Sequence, residues 1–458
     1  MLLEIVRSTG LSHLSYFLGD GNEAAVIDPR RDYDIYLDIA TREGLRITRI
    51  FETHRNEDYV IGSQALASAT GAEIYHGRAI GFGYGNSVGD EDSFDFGNVR
   101  LRVLETPGHT FESISIALYD QAFGDDAVAV FTGDTLFIGD VGRADFFPDR
   151  AHEVAGLLYD SIFQKILPLG DQAILYPAHG AGSVCGSGMA SREFSTLGYE
   201  RRLNPRLQLD RDAFITSKVN EHHYYIPYFK RMEQLNQEGA GEFNALPRPR
   251  ALTADQLAEH QKVGGLVLDT RDPEAIAGSF IPGSFAIPLH MVPAFAGWYL
   301  PYDRDIALLL RRDDEVEQAV RLLVRLGYDR ISGFLAGGMM AWQTSGRHYD
   351  DVTAVHVDTL LKRINSGADY TLLDVRSLNE FKQGHLPDAQ PIYVGELAER
   401  ITEVSKTRPV TTFCGSGQRA IIAAALLKQH GIEQVEICLG SMQACKAVGC
   451  SVINEQAA

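Results

Sequence analysis

Short apolar runs alternate with amphipathic runs along the first half of the chain. This pattern predicts strands separated by helices. The predicted helix covers residues 33–43, and the predicted strands cover residues 24–27, 47–52, 99–105, 127–131 and 173–176. Most of these strands end in a polar turn that contains a His or an Asp. Because strand ends are rigid and the adjoining loops meet solvent, catalytic groups are commonly found at such turns.

The second half of the chain contains an internal repeat. Leu266-Val-Leu-Asp-Thr-Arg271 has a counterpart in Leu372-Leu-Asp-Val-Arg376. Likewise, Phe280-Ile-Pro-Gly-Ser284 has a counterpart in His385-Leu-Pro-Asp-Ala389. Within each copy, strands alternate with helices, which favours a parallel sheet with helices on both faces. The repeat therefore predicts two related α/β domains.

These patterns divide the chain into four parts, and its length of 458 residues agrees with several domains. The stretch before the repeats has a looser pattern with an aromatic cluster, so we expect a connector with helices there. The predicted parts are an N-terminal domain at residues 1–197, the connector at residues 198–247, and the two α/β repeats at residues 248–350 and 351–458.

Composition narrows the classes of function. The chain has 61 acidic and 42 basic residues and a formal charge of -19, which argues against nonspecific binding to nucleic acid or to an anionic membrane. It has no long apolar run and no signal-peptide pattern, so we expect a soluble protein without a membrane span. Its five cysteines are too few and too irregular for a disulfide scaffold, which indicates a reducing cytoplasm.

Four of the strand-end turns carry residues that can bind a metal. The four motifs are Thr53-His54-Arg-Asn56-Glu-Asp58-Tyr59, Thr106-Pro-Gly-His109-Thr110, Phe131-Thr-Gly-Asp134-Thr135 and Tyr176-Pro-Ala-His179-Gly180. In order and placement, this series resembles the metallo-β-lactamase superfamily over about the first 190 residues. The resemblance implies an αββα sandwich with the site at one edge.

The first motif departs from the superfamily's usual His-x-His-x-Asp-His at two positions, where Asn56 and Tyr59 stand. By resemblance, the first metal position keeps His54, His109 and Asp134. The second metal position loses the imidazole that Tyr59 replaces. We therefore expect one metal ion per chain.

Two histidines and one carboxylate with open metal positions form the facial triad typical of non-haem Fe(II) oxygenases. Within the superfamily, the chain resembles the persulfide dioxygenases, which use this triad. The resemblance implies that His54, His109 and Asp134 bind one Fe(II), with zinc as the alternative metal. His179 is then expected to support the ligands or the local structure without binding the metal itself. Asp58 is expected either to orient a ligand imidazole or to cap its own loop.

A candidate substrate-binding residue lies farther along the chain. Gly-Arg143-Ala-Asp145-Phe resembles the Gly-Arg-x-Asp-Phe segment of the persulfide dioxygenases, in which the Arg faces the thiol carrier. A guanidinium suits a carboxylate-bearing substrate such as glutathione persulfide, so Arg143 is expected to bind it. The alternative is that Arg143 forms an ion pair with Asp140 or Asp145.

A cysteine loop follows the apolar run at residues 410–413. In Cys414-Gly-Ser-Gly-Gln-Arg419, small residues let backbone N–H groups point inward, and a helix is predicted to follow. Such a nest binds anions and favours a thiolate. The Cys-x4-Arg pattern resembles rhodanese, as do Asp374-Val-Arg376 and residues 380–389. The resemblance implies a set of catalytic residues, Cys414, Arg419, Asp374 and Arg376, and an active-site loop, Gly415, Ser416, Gly417 and Gln418.

The first repeat departs from the rhodanese pattern at this loop. An ungapped alignment places Leu310 opposite Cys414 and Glu315 opposite Arg419, so we expect a rhodanese fold without catalysis. The remaining cysteines are expected to be core, edge or packed loop residues, with a sulfur-relay role as the alternative for the first of them. They are Cys185, Cys438, Cys445 and Cys450.

Together, the resemblances imply a multidomain α/β and α+β enzyme of sulfur metabolism. A thiol persulfide and O2 would give sulfite at the iron, and Cys414 would exchange sulfur with sulfite or thiosulfate. Two alternatives stay open: a mononuclear zinc thioester hydrolase similar to glyoxalase II, and a metal-free N-terminal scaffold fused to a sulfurtransferase. The thiol carrier stays open among glutathione, coenzyme A, cysteine and bacillithiol. A homodimer is compatible with the resemblance.

Overall fold

The structure is a computed structural model, and the chain divides into two units. The parts of the chain that it describes are residues 1–184, 186, 188–241 and 243–454. Unit 1 comprises Met1–Leu246 with Val324–Gly327, and unit 2 comprises Pro247–Leu323 with Tyr328–Ala458.

Unit 1 contains two mixed sheets, each with six strands among the described residues. The first sheet runs in chain order through β1 (Leu2–Ser8), β2 (His13–Asp20), β3 (Glu23–Ile27), β4 (Arg46–Glu52), β5 (Glu73–Gly77) and β6 (Asn86–Val88). The second sheet runs in chain order through β7 (Ser93–Phe96), β8 (Val99–Glu105), β9 (Ile114–Asp120), β10 (Ala127–Gly133), β11 (Ile174–Pro177) and β12 (Ser195–Thr196). In both sheets, antiparallel pairs are combined with parallel pairs such as β3 with β4 and β10 with β11.

Most helices of unit 1 pack against the outer faces of these sheets. The helices of this unit are α1 (Asp34–Glu43), α2 (Ser63–Thr70), α3 (Ala151–Ser161), α4 (Leu197–Leu203), α5 (Arg211–Val219) and α6 (Phe229–Glu238). The five predicted strands and the predicted helix are confirmed, with bounds that shift by at most two residues.

Strand periodicity explains the layers. Along β2, Tyr16 and Leu18 face the core between the sheets, whereas Phe17 packs with Tyr36 and Ile39 of α1. The core between the sheets draws from both of them, through Ala25, Ile27, Phe51, Leu101, Ile116, Leu118, Ala129 and Phe131. A third core lies between the second sheet and α3 and α5. Because helices pack outside two stacked sheets, the predicted αββα sandwich is confirmed.

Unit 2 contains two further sheets. The first has the spatial order β13 (Arg250–Leu252), β17 (Ile331–Leu335), β16 (Ile306–Leu309), β14 (Leu266–Asp269) and β15 (Phe285–Ala286). The second has the spatial order β18 (Thr353–Val355), β22 (Val435–Cys438), β21 (Val410–Phe413), β19 (Thr371–Asp374) and β20 (Gln390–Pro391).

The helices of unit 2 fall into two matching sets. The first set is α7 (Ala254–Lys262), α8 (Pro273–Gly278), α9 (Val292–Tyr299), α10 (Val316–Arg325) and α11 (Gly338–Thr344). The second set is α12 (Val357–Ser366), α13 (Leu378–Gln383), α14 (Gln418–Gln429) and α15 (Ser441–Val448). Every strand pair in both sheets is parallel, and both share one strand order, so the predicted pair of parallel α/β repeats is confirmed.

The predicted connector is built into unit 1, because Leu207 and Phe214 lie in the core beside α3. The bounds of the four parts nevertheless stay a prediction. Among the described residues, none of the helices combines the length and apolar content that a membrane crossing requires.

One glycine controls how closely α3 approaches the loop after β8. Gly108 has a φ of +150°, and a Cβ there would lie 2.3 Å from the Cα of Leu158. Gly124 has a nearly equal φ of +153° but has open space around it. The two glycines therefore separate the effect of backbone conformation from the effect of packing.

We predict that Gly108→Ala lowers the free energy of unfolding by about 1–3 kcal/mol more than Gly124→Ala, since only the former overpacks a helix contact. Urea unfolding of the full chain, followed by far-ultraviolet circular dichroism, measures the difference. Equal losses in the two variants would contradict the close packing at Gly108.

Candidate functional site

Four strand ends in unit 1 bring the predicted site residues together. β4 leads into His54, β8 leads toward His109, β10 leads into Asp134, and β11 leads toward His179. Each of these four side chains is at most 3% exposed. The site is therefore a buried cluster at one edge of the sandwich.

Glycine at the end of β10 permits the close approach of two of these strand ends. Gly133 has a φ of +55°, and a Cβ there would lie 2.6 Å from the Oγ1 atom of Thr53. The backbone N–H of Ala178 donates to the Gly133 carbonyl at 2.9 Å. A larger residue at 133 would push the Asp134 turn away from the His54 loop.

His54, His109 and Asp134 form the one group of potential metal ligands found among the described residues, with ligand atoms all within 4.8 Å of one another. The Asp134 Oδ2 atom lies 3.8 Å from His54 Nε2 and 3.6 Å from His109 Nε2. None of these three buried atoms has a hydrogen-bond partner among the described residues. Because an unsatisfied buried polar atom costs about 1–3 kcal/mol, this arrangement fits a bound cation.

Hydrogen bonds on the far side of each imidazole hold it in the form that binds metal. The Thr53 hydroxyl donates to Asp28 at 2.7 Å, so its oxygen is left to accept from His54 Nδ1 at 2.9 Å. His109 Nδ1 donates to the Arg143 carbonyl at 3.0 Å. Both Nε2 lone pairs therefore face Asp134. Burial also lowers the pKa of His54 to about 3, which keeps that imidazole neutral, as a metal ligand must be.

His179 lies behind Asp134. Its Nδ1 atom lies 2.7 Å from Asp134 Oδ1, and its Nε2 atom lies 3.1 Å from Asp58 Oδ2. Burial works against the charged imidazole, but the carboxylates of Asp134 and Asp58 raise the pKa of His179 well above its ordinary value. Asp58 contacts the imidazole of His179 and not that of a member of the three-residue group, so its role in orienting a ligand stays a prediction.

The residues that would form a second metal position are engaged with one another. Asp58 and Asp134 both contact His179. Tyr59, which replaces the superfamily's imidazole, is buried with its ring 4.1 Å from that of His13. This arrangement agrees with the expectation of one metal ion per chain.

Arg143 is 1% exposed and forms a bidentate ion pair with Asp145, with both hydrogen bonds at 2.7 Å. Its guanidinium also lies 4.7 Å from the Phe146 ring centroid, and that ring contacts His109 edge-on at 5.2 Å. The structure therefore shows the alternative arrangement, in which Arg143 forms an ion pair. The substrate-binding role of Arg143 stays a prediction.

Sequence reasoning missed three residues of this site. Asp28 and Thr53 orient His54, and Glu57 places its Oε2 atom 3.5 Å from His109 Nε2. The signal for Thr53 and Glu57 was their position inside the first motif. Asp28 could have been identified in the sequence as a charged residue directly after an apolar strand.

In unit 2, the predicted cysteine loop joins β21 to α14. Cys414 is 1% exposed, and its Sγ atom accepts a hydrogen bond from the backbone N–H of Gly417 at 3.1 Å. The backbone N–H of Cys414 donates to Ser441 Oγ at 3.1 Å. The loop thus directs one backbone N–H at the sulfur, where it can stabilise an anion.

Arg419 pairs with Glu380 through two hydrogen bonds of 2.6 and 2.7 Å. Burial alone would raise the pKa of Glu380, but the Arg419 guanidinium outweighs burial and lowers this pKa to about 2. A cavity of about 430 Å³ beside the loop is lined by Glu380, Gly415 and Lys446, among other residues. The guanidinium therefore lies next to this cavity with its charge already balanced.

Asp374 and Arg376 form a buried pair, with their shortest hydrogen bond at 2.6 Å. Arg376 also donates to the Gly384 carbonyl at 2.8 Å, which ties the end of β19 to the turn after α13. Arg376 lines the cavity beside the cysteine loop, and Asp374 holds its guanidinium in place. Their catalytic role stays a prediction, as does that of Ser416 and Gln418.

The corresponding loop of the first repeat has different chemistry. Leu310 is buried, and Arg311 forms an ion pair with Glu315 at 2.7 Å. The position opposite Cys414 therefore holds a packed aliphatic side chain, which agrees with the expected absence of catalysis.

The remaining cysteines show one departure from expectation. Cys445 and Cys450 are joined in a disulfide, with Cα atoms 5.0 Å apart, although the sequence indicated reduced cysteines. Composition alone could not reveal this pair, because it is the turn after α15 that brings the two cysteines together. Burial raises the pKa of Cys438 to about 11, as expected for a core thiol. Cys185 lies outside the described residues.

Comparisons with known proteins agree with this geometry. Residues 8–179 match the family model of the metallo-beta-lactamase superfamily. Residues 253–345 and 356–447 match the model of the rhodanese-like domain. A crystal structure of a metallo-beta-lactamase from Staphylococcus aureus subsp. aureus COL superposes with a TM-score of 0.66 at 32% identity, covering 73% of this chain and 98% of that chain.

Among curated proteins, the mouse (Mus musculus) mitochondrial persulfide dioxygenase ETHE1 is 32% identical over 209 residues, which are 44% of this chain and 74% of that protein. A hydroxyacylglutathione hydrolase of Rhizobium etli is 37% identical over 158 residues, which are 34% of this chain and 56% of that protein. The chain therefore belongs to the metallo-β-lactamase superfamily as a homologue of the persulfide dioxygenases, and it carries two rhodanese-like domains.

We predict that Thr53→Val weakens metal binding about 10–100-fold, because it removes the acceptor that fixes the His54 tautomer. Competition between the full chain and a chromophoric chelator for Co(II) measures the affinity. Thr53→Ser, which keeps the hydroxyl, should bind nearly as well as wild type. If both variants bind like wild type, Thr53 does not orient the ligand.

We predict that the Arg419–Glu380 ion pair stabilises the fold at neutral pH and ceases to do so in acid. The pKa of Glu380 is about 2 in the folded chain against an ordinary 4.5, so its contribution is complete above about pH 4.5 and is lost toward pH 2. Unfolding midpoints of wild type and Glu380→Gln should therefore converge across that window. A constant difference between the two proteins down to pH 2 would contradict the assignment.

Proposed function

We propose that this chain is an Fe(II)-dependent persulfide dioxygenase coupled to a rhodanese sulfurtransferase. The observation that carries the proposal is the set of three buried ligand atoms, on His54, His109 and Asp134, that lack a hydrogen-bond partner in the part of the chain that the structure describes. Two imidazoles and one carboxylate are the ligand set that suits a non-haem iron oxygenase. The likeness to ETHE1, a persulfide dioxygenase, supports the same reaction.

The proposed reaction at the first site balances as RSSH + O2 + H2O → RSH + H2SO3. His54, His109 and Asp134 would hold one Fe(II), which supplies the redox chemistry for adding oxygen to the terminal sulfur. The protein side chains hold this site away from bulk water, since all three ligands are nearly fully buried. The Thr53 hydroxyl and the Arg143 carbonyl keep both imidazoles oriented during turnover.

Arg143 provides the proposed contact with the thiol carrier. Its guanidinium lies on the Phe146 ring, which contacts His109, so a carrier bound there would lie beside a ligand. Asp145 already neutralises this guanidinium at 2.7 Å. A carboxylate-bearing carrier would therefore have to share Arg143 with Asp145 or displace it.

The proposed reaction at the second site uses Cys414. Its thiolate attacks the outer sulfur of thiosulfate, the sulfur–sulfur bond breaks, and sulfite leaves while Cys414 keeps a persulfide. A thiol then takes that sulfur and regenerates Cys414. The same steps in reverse consume sulfite. The Gly417 N–H, which points at Sγ, stabilises the anionic sulfur in either direction.

Having both activities on one chain raises the effective concentration of the shared product. Sulfite is the proposed product of the first reaction and a proposed substrate of the second.

The hydrolase alternative has one observation in its favour, the likeness to a hydroxyacylglutathione hydrolase over 34% of this chain. Against it, the side chains that would form a second metal position contact one another, because His179 lies 3.1 Å from Asp58 and 2.7 Å from Asp134. A single zinc ion bound by the three ligands would remain a possible hydrolytic centre. The metal bound and the substrate consumed therefore distinguish the dioxygenase from the hydrolase.

We predict that full-length protein loaded anaerobically with Fe(II) consumes O2 and forms sulfite when glutathione persulfide is added. His109→Ala should lose this O2 uptake to background but keep thiosulfate sulfurtransferase activity. Cys414→Ser should show the opposite pattern. Oxygen-electrode and thiocyanate assays of the three proteins measure both activities.

Two results together would contradict the dioxygenase proposal. The zinc-loaded protein would cleave thioesters, and the iron-loaded protein would take up no O2 with glutathione, coenzyme A, cysteine or bacillithiol persulfide. Loss of both activities in each single variant would contradict the assignment of the two reactions to separate residues.

A further inference from the structure

Glu57 is a buried acid in the first metal motif that the proposed ligand set does not use. The residue is 1% exposed, and its side chain is completely enclosed. It lies on the same loop as His54 and Asp58, directly after β4. Its role therefore has to be sought inside the protein and not at the surface.

Neither carboxylate oxygen of Glu57 has a hydrogen-bond partner among the described residues. The Oε2 atom lies 3.5 Å from His109 Nε2, and the Oε1 atom lies 3.8 Å from an Arg55 nitrogen. Arg55 also lies closer to another acid, Glu233, at 3.4 Å. Glu112, a similarly buried acid nearby, instead accepts a hydrogen bond from the Arg55 N–H at 2.9 Å.

A carboxylate buried in this way requires a proton or a cation. The atom that it faces, His109 Nε2, is itself aimed at the metal position. A cation bound by His109 would thus lie next to Glu57 and would balance its charge.

The distances fit one corner of an octahedral site. Around a metal with bonds of about 2.1 Å, neighbouring ligand atoms lie about 3.0 Å apart and opposite ones about 4.2 Å apart. The distance of 3.5 Å between Glu57 and His109 is comparable to the 3.6 and 3.8 Å within the three-residue group. Glu57 itself falls outside the group in which all ligand atoms lie within 4.8 Å. Its carboxylate would therefore have to move closer to the group when a metal binds.

We propose that Glu57 is a fourth protein ligand, so that the metal is bound by two imidazoles and two carboxylates. This inference rests on the proposed function for the identity of the metal as Fe(II). Two positions then remain open instead of three, which is enough for one sulfur ligand and one O2. A second carboxylate also reduces the positive charge of the site and favours a hard divalent ion over a soft one.

The first test compares the affinity of Glu57→Gln and wild type for Co(II) alone, by chelator competition on the full-length protein without substrate. Glu112→Gln is the matched control, because its amide oxygen can still accept from Arg55. We expect Glu57→Gln to bind Co(II) at least about 10-fold more weakly and to show a changed visible spectrum. The control should stay within about twofold of wild type.

An unchanged affinity and spectrum in a folded Glu57→Gln protein would overturn the proposal. An equal loss of affinity in Glu112→Gln would also overturn it, because any buried acid would then have the same effect.

A second measurement does not depend on a variant that folds. In a crystal structure of the wild-type chain with Co(II), we expect a Glu57 oxygen at about 2.1 Å from the metal. A separation beyond about 3 Å would overturn the proposal. Neither measurement uses persulfide or O2, so the dioxygenase proposal can fail while Glu57 proves to be a ligand, and the reverse also holds.

Discussion

The arrangement of unit 1 depends on three buried ligand atoms that have no hydrogen-bond partner among the described residues. His54 Nε2, His109 Nε2 and Asp134 Oδ2 converge in a region without solvent, where each would be costly to leave unsatisfied. The surrounding structure maintains this convergence. Gly133 lets two strand ends meet, and Thr53 engages the far side of one imidazole. A bound cation would compensate the cost of the whole arrangement, which is why the site indicates metal chemistry.

The two repeats of unit 2 show how one fold can keep or lose a reactive site. Both have the same strand order, so the same architecture presents the loop after the central strand. In the second repeat that loop surrounds Cys414 with a backbone donor, and Arg419 is braced by Glu380. In the first repeat the loop holds Leu310 and a surface ion pair. Function therefore depends on the loop and not on the sheet beneath it.

The fold and the residues of the candidate metal site could be identified because their signals are local. Each ligand follows an apolar strand within a few residues, so His54 and Asp134 could be recognised without knowledge of the packing. The roles that sequence reasoning missed depend on contacts between residues that are far apart in the chain. Asp58 contacts His179 from another loop, and Glu57 acquires meaning only when it lies beside His109. Spacing in the sequence does not reveal such pairs, because the chain topology determines which loops meet.

The proposed function requires that the metallo-β-lactamase part bind a single metal ion on His54, His109 and Asp134. The most direct test is the metal stoichiometry of the full-length wild-type chain after anaerobic loading with Fe(II) and removal of free metal. Mass spectrometry of the metal content, set against protein concentration, should give one equivalent per chain. Two equivalents would show that Asp58 and His179 complete a second position, and no retained metal would show that the buried cluster is not a metal centre.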